Sequence, residues 1–282
     1  MKISIGIVGL PNVGKSTLFQ ALTKKQVNIA SYPFSTVDPN VAVVAPKDER
    51  LEKIAKIIGS KKILPAFLEF VDIAGLVKGA HRGEGLGNQF LAQIREVDAI
   101  IHLIRTFEDS QIAHLEGGID PERDFKIIQE ELQKKDEELK EKINLLSNKP
   151  QLVIFNGPPP QQKHTNILEN VGMLSVDLKN EIDEHRFQEI FSAIKELLHL
   201  ITFFTANENE ARSWLVKEGT PAKKAGGVVH GDFENKFIRA EAINWEKMVS
   251  AGSWQGAKSK GLIRTEGKDY LVQEGDLVLF KI

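Results

Sequence analysis

The 282-residue chain contains no cysteine. That absence excludes disulfides, thiolate metal sites and cysteine nucleophiles, so no disulfide partner is expected. A long apolar run is also missing: the opening MKISIGIVGL passes straight into a glycine loop and has no cleavage-site pattern. With no targeting or spanning segment to read, the expected compartment is the cytoplasm, without a membrane partner. Net charge is nearly absent too, formally -2, which gives no global attraction to nucleic acid and leaves only local asymmetry to weigh. No internal repeat is present. What remains is an ordinary globular composition, 41% hydrophobic and 27% charged, with length for one large domain and a small one.

Apolar runs at Ile3 to Val8, Ala66 to Val71, Ala99 to Ile104 and Gln151 to Phe155 read as buried strands, separated by segments of helical periodicity. Alternation of this kind predicts an α/β fold with a doubly wound, mostly parallel sheet and a ligand at the carboxyl ends of its strands. Pro121 to Asn148 reads as one charged helix with Phe125, Ile128, Leu132, Leu139 and Leu146 on a stripe. Lys135 and Lys142 break that stripe, which favours a solvated helix docked by one face over a coiled coil. Pro158 to Pro160 marks a stiff loop. After Leu200 the texture turns to short strand-like runs, Phe237 to Ala242, Leu262 to Thr265, Tyr270 to Val272 and Leu277 to Ile282, as in a separate small β-rich domain.

Gly9-Leu-Pro-Asn-Val-Gly14-Lys15-Ser16 is a complete G-x-x-x-x-G-K-[ST] loop lying between a strand and a helix. Its glycines let successive amides converge on phosphate oxygens, and the helix N-terminus that follows favours negative charge. Asn12, Val13, Gly14, Lys15, Ser16 and Thr17 are therefore the predicted phosphate cradle. Lys15 is placed on the β- and γ-phosphates and Ser16 on magnesium (Mg2+). Phe70-Val71-Asp72-Ile73-Ala74-Gly75 delivers Asp72 from a strand end to the outer magnesium shell, with the Gly75 amide facing the γ-phosphate. Thr36 either completes the magnesium shell when the γ-phosphate is present or is a plain loop threonine. Gly79, Gly83, Gly85 and Gly87 suit a second nucleotide-sensing switch, or a structural glycine loop.

GLPNVGKSTLFQALT, YPFSTVDPNVAVV, FVDIAGLVKGAHRGEGLGNQFL, FFTANENEARSW, GGVVHGDFENKFIRAEAI and EGKDYLVQEGDLVLFKI follow one another in order along the chain. In these motifs the sequence resembles the YchF family of Obg-like ATPases. The resemblance implies an OBG-type G domain over residues 1–199 and a TGS domain of β-grasp type over residues 200–282. It also implies nucleotide hydrolysis, often of ATP in preference to GTP, and association with the ribosome through rRNA or a ribosomal protein. Signalling GTPases orient the attacking water with a glutamine where this chain has Leu76, which can neither accept nor orient a proton. The resemblance assigns that work to His114, imidazole being a side chain suited to general acid–base chemistry; a surface-loop histidine is the alternative. Asn156 and Ser175 complete the expected nucleotide-binding set. Three departures from the family stand out: a single shortened helical segment over about 121–148 replaces its coiled-coil arm, Asn156-Gly-Pro-Pro159 lacks its base-reading glutamate, and Ser35 and Thr106 stand where it has cysteines.

Between Arg212 and Arg264 ten Lys or Arg face five Asp or Glu, with Phe237, Trp245 and Trp254 among them. Such a segment fits RNA phosphates and stacked bases, and equally a solvated face over core aromatics. Three functions stay open on these residues: an ATPase, a nucleotide-gated binding module with little turnover, and a GTP-hydrolysing translation factor. A monomer is favoured.

Overall fold

The computed structural model describes residues 2–25, 40–73, 94–114, 117–139, 145–160, 172–179 and 182–282. Thr36, Gly75, Leu76 and the glycines at 79, 83, 85 and 87 lie outside the described residues. Along the chain the elements are Ser4–Val8 (β1), Lys15–Thr23 (α1), Val41–Val44 (β2), Glu49–Ile58 (α2), Lys62–Leu64 (β3), Leu68–Asp72 (β4), Ala99–Arg105 (β5), Pro121–Leu139 (α3), Gln151–Asn156 (β6), Gly172–Val176 (β7) and Glu184–Leu197 (α4). There follow Leu200–Ala206 (β8), Glu210–Lys217 (β9), Ala222–Val229 (α5), Gly231–Asn235 (α6), Arg239–Asn244 (β10), Trp245–Ala251 (α7), Trp254–Ser259 (α8), Arg264–Glu266 (β11) and Asp276–Lys281 (β12).

Strands β1, β5 and β6 are buried at every position, as continuous apolar runs require when both faces of a sheet are covered. They form the centre of a six-stranded sheet ordered β2-β4-β1-β5-β6-β7, parallel except for β2, which runs antiparallel to β4 at the edge. The order reverses at β1, with β4 on one side and β5 on the other, so the crevice beyond the end of β1 is where this topology opens a binding site. The α/β, doubly wound, mostly parallel architecture is as the strand pattern requires.

Two local readings change. The apolar run from Ala66 enters the sheet only at Leu68, because Pro65 and its neighbours precede the ladder. Helix α3 is described over Pro121–Leu139, residues 140–144 lie outside the described residues, and Leu146 belongs to a short 3-10 turn, Leu146–Asn148. Phe125, Ile128 and Leu132 do form the buried face of α3. Asp136, also buried, secures the turn by accepting from Leu146 N at 2.8 Å, Ser147 N at 3.0 Å and Ser147 Oγ at 2.7 Å. Three donors offset the desolvation cost of a buried carboxylate.

Residues 45–67 and 198–282 make a second compact unit. Its sheet is ordered β11-β10-β12-β8-β9-β3. The hairpin β8–β9, then α5, then β10 and β12 with β12 parallel to β8, is the β-grasp arrangement. One sheet face carries Phe203, Val216, Ala240, Val278 and Phe280 beneath α5. The other carries Phe204, Ala211, Ile243 and Leu277, covered by Leu51, Ile54 and Ala55 of α2 and by Met248 and Ala257 of α7 and α8. Helix α2 qualifies for that place by its i, i+3, i+4 apolar spacing, an Asp48 cap accepting from Arg50 N, and Gly59 ending it at φ 77°. The unit is thus richer in helix than its strand-like texture predicts. Tyr270 to Val272 contributes only an isolated bridge, Pro221 to Leu271, and not a strand. No helix among the described residues is long and apolar enough to cross a membrane.

Candidate functional site

At the end of β1 the chain turns through Leu10–Gly14 into α1, and two glycines make the turn possible. Gly9 passes so close to β5 that an added Cβ would sit 2.5 Å from the Leu103 carbonyl oxygen. Gly14 caps α1 at φ 103°, and a Cβ there would lie 2.6 Å from Asn156 Nδ2. Asn12 also adopts a positive φ of 64°, a geometry asparagine tolerates better than most residues. The loop that results opens a cavity of about 460 Å3 lined by Asn12, Gly14, Lys15, Ser16, Thr17, Phe107, Ile112, Asn156, Leu178 and Lys179. That volume suits a nucleotide-sized ligand.

Lys15 folds back over the loop and donates from Nζ to Gly9 O at 2.8 Å and Leu10 O at 3.0 Å. Burial pushes its pKa down, and the charge of Asp72 partly restores it. Asp72, half-buried at the end of β4, responds in the mirror sense: burial raises its pKa and Lys15 opposes the rise. The two therefore share one partly desolvated field, brought together by the parallel register that sets Ile7 beside Asp72. Ser16 and Thr17 are in the first turn of α1, where unpaired amides and the helix dipole favour an anion.

Asn156, at the end of β6, is buried and hydrogen-bonded through both amide heavy atoms. Its Nδ2 donates to Val13 O at 2.9 Å, and its Oδ1 accepts from Leu178 N at 3.1 Å. It therefore braces the phosphate loop against the segment after β7. Ser175 pairs with Phe155 across the β6–β7 ladder and does not line the cavity. The wall opposite the loop is made by residues that motif spacing gave no reason to select. Arg105, buried at the end of β5, donates to Phe107 O at 3.0 Å, Ile112 O at 2.9 Å and Asp109 O at 3.2 Å. Its guanidinium also lies 4.4 Å from the centre of the Phe107 ring. One arginine thus wraps the 106–112 loop and presents Phe107 and Ile112 to the cavity. Leu178 and Lys179 complete this wall. A buried arginine at a strand end followed by an aromatic residue is the signal that could have drawn attention to them.

His114 is near the phosphate loop through its neighbour, since Asn12 Nδ2 donates to Ala113 O at 3.2 Å. The imidazole itself turns away: its Nε2 is 3.0 Å from Oδ2 of the buried Asp124 on α3. Arg123 reaches the other oxygen of that carboxylate at 2.9 Å. His114 does not line the cavity in this conformation. A hydroxyl on Ser16 and a carboxylate on Asp72 are hard oxygen donors of the kind magnesium takes when a substrate phosphate supplies further ligands.

Comparison with known proteins adds the following. Residues 4–157 match a family described as 50S ribosome-binding GTPase. Residues 200–282 match the YchF GTPase C-terminal family, described as a protein of unknown function. The chain is 36% identical to the Ribosome-binding ATPase YchF of Bacillus subtilis (strain 168) over 363 residues, covering 100% of this chain and 99% of that protein. It is 39% identical to the protein of the same name from Haemophilus influenzae over 360 residues, covering 100% and 99%. With Obg-like ATPase 1 of Bos taurus it shares 34% identity, covering 99% of this chain and 92% of the relative. The solved Schizosaccharomyces pombe YchF GTPase superposes with a TM-score of 0.79 at 31% identity, covering 99% of this chain and 98% of that one. The 363 aligned positions of the Bacillus comparison exceed the 282 residues of this chain by 81, so the relative carries 81 positions with no counterpart here.

Proposed function

The chain belongs to the YchF family of Obg-like ATPases, and on that premise we propose that it is a ribosome-associated P-loop nucleoside triphosphatase whose nucleotide state controls its hold on the ribosome. ATP is the expected substrate, because no carboxylate among the described residues lines the cavity to accept from the N–H donors of guanine; GTP is the alternative. The observation that carries this reading is Lys15. Its ammonium is partly buried at the mouth of a glycine loop, coupled to Asp72, and held by two carbonyls of its own loop. Phosphate oxygens are stronger acceptors for such a group than neutral carbonyls.

On this reading the amides from Asn12 to Thr17 hold the β- and γ-phosphates, and Lys15 exchanges its carbonyl partners for phosphate oxygens. Ser16 and Thr36, with Asp72 in the outer shell, would hold Mg2+, which would neutralise charge on the phosphate tail when bound. Catalysis then rests on position and charge, with Lys15 and the Gly75 amide at the γ-phosphate and His114 orienting the water. Asn156 sets the loop's attitude, and Phe107 and Leu178 bound the base. We read residues 1–199 as the OBG-type G domain and 200–282 as the TGS domain, in a monomer that works in the cytoplasm. The test is magnesium-dependent phosphate release from ATP and GTP by purified protein. Lys15→Ala should lower it by on the order of 10²–10³; equal turnover in both proteins would remove the site assignment.

A further inference from the structure

The loop that leaves β5 is fastened to the nucleotide cavity up to the residue before His114. Arg105 holds the carbonyls of Phe107, Asp109 and Ile112, Ile112 lines the cavity, and the Ala113 carbonyl accepts from Asn12 of the phosphate loop at 3.2 Å. The backbone entering His114 is therefore already beside the phosphate loop. The ring is not: its Nε2 lies 3.0 Å from Asp124 Oδ2, and side-chain exposures of 8% for His114 and 2% for Asp124 put that pair in the interior. None of His114, Arg123 and Asp124 lines the cavity.

Two features make this engagement reversible. Asp124 has a second cation: Arg123 donates to its Oδ1 from Nε at 3.1 Å and from Nη2 at 2.9 Å. A buried carboxylate stripped of every partner is costly, but this one keeps two charge-assisted bonds when the imidazole leaves Oδ2. The chain after His114 is also built to bend. Gly117 N closes a turn onto the His114 carbonyl at 3.3 Å with φ 79°, and Gly118 follows with open space where a Cβ would stand. Packing gives no reason for glycine at 118, whereas backbone freedom does. Arg123 Nη2 donates to the Gly118 carbonyl at 2.5 Å, so the residue that shares Asp124 also holds the far end of the turn.

We infer that Asp124 is a positioning residue that latches His114 away from the nucleotide, and that Arg123, by sharing the carboxylate, sets how readily the ring is released. A carboxylate that orients a working imidazole leaves the far ring nitrogen facing the substrate. Here the ring stands off the cavity, so its bond to Asp124 opposes the reaction instead of preparing it. Turnover then scales with the fraction of molecules whose ring has left Oδ2, and nucleotide affinity does not. This latch presupposes the water-orienting role proposed for His114 and adds the contact that restrains it.

The test measures steady-state phosphate release from ATP with magnesium by the full chain and by Asp124→Asn, Arg123→Gln, His114→Ala and the double variant His114→Ala/Asp124→Asn, with folding checked by thermal melting. Asp124→Asn keeps the shape of the side chain and removes its charge, so kcat should rise by roughly tenfold with KM unchanged. Arg123→Gln takes away the cation that shares the carboxylate and makes it depend more heavily on His114, so kcat should fall, again with KM unchanged. The gain from Asp124→Asn should vanish in the double variant, which should match His114→Ala. Parental or lower kcat in folded Asp124→Asn overturns the latch, and so does a gain that persists without His114. Should Asp124→Asn fail to fold, Arg123→Gln decides, and parental or higher kcat in that variant overturns the latch. Parental turnover in His114→Ala would sink the role proposed for His114 and the latch with it. Low turnover in His114→Ala beside an unaltered Asp124→Asn sinks the latch alone.

Discussion

Asn156 reaches 143 residues back along the chain to donate its Nδ2 to the Val13 carbonyl at 2.9 Å. Its other amide atom receives the Leu178 N–H, so a single side chain ties the phosphate loop to the segment after β7. Replacing Asn156 by Ala leaves the buried Leu178 N–H without its acceptor, a loss of about 1–3 kcal/mol. Both thermal stability and nucleotide affinity should fall. Calorimetry with ATP and a melting curve measure the two effects, and unchanged affinity would show that the brace does not shape the loop.

Gly14→Ala attacks the same brace from the other side. It meets a backbone at φ 103° and a Cβ position 2.6 Å from Asn156 Nδ2. The backbone strain alone is about 1–3 kcal/mol. Combining it with Asn156→Ala should relieve the clash but not the strain, so the double variant should lose less than the two single losses added. Strict additivity in denaturant melts would rule out direct contact between the two positions.

Removing the Lys15 ammonium should reduce turnover by on the order of 10²–10³, the usual loss for a donor aimed at developing charge. The free protein should not be destabilised in proportion, because Lys15 is partly desolvated and bonds to its own loop. Single-turnover phosphate release and a melting curve separate these outcomes. A large drop in melting temperature would mark Lys15 as structural.

His114 presents a sharper conflict, since its ring is engaged by Asp124 while its proposed task lies at the cavity. His114→Ala should lower turnover by roughly 10²–10⁴ with nucleotide affinity retained, the pattern of a group that acts only in the reaction. Wild-type turnover in that variant would leave His114 as a structural partner of α3.

His102, on β5, is fully buried against Phe125 at a ring separation of 4.8 Å, and neither ring nitrogen has a hydrogen-bond partner in bonding geometry among the described residues. Burial pushes its pKa from 6.5 down to about 3, with Gln151 nearby offsetting only part of the shift. The unfolded chain therefore takes up this proton first as pH falls. The resulting stability loss begins near pH 6.5, grows by several kcal/mol, and levels off near pH 3. His102→Phe should flatten the dependence in that window; an unaltered pH profile of melting would exclude His102 as its source.

The phosphate loop, Asp72 and the parallel sheet were legible because each is a local pattern: fixed glycine spacing, a carboxylate ending an apolar run, and strands buried on both faces. The base-side wall was not, because Arg105 organises it through three carbonyls of an irregular loop, and carbonyls carry no residue identity. Asn156 stands out in the sequence as a nucleotide-binding residue, but nothing in its spacing announces the brace to Val13. Trp245 and Trp254 are equally ambiguous until α2 supplies the apolar surface they share.

What the amino-acid sequence determined alone was the class of chemistry: a loop that binds phosphate through backbone amides, no thiol chemistry, and a strand order that opens a crevice. Tertiary structure alone decided which distant groups share a field. It set Lys15 beside Asp72, turned His114 toward Asp124, and placed residues 45–67 with the C-terminal sheet. The reason is the range of the forces involved. Backbone conformation and hydrophobic periodicity act between near neighbours in the chain, whereas desolvation and charge act through space and take their values only once the chain has folded.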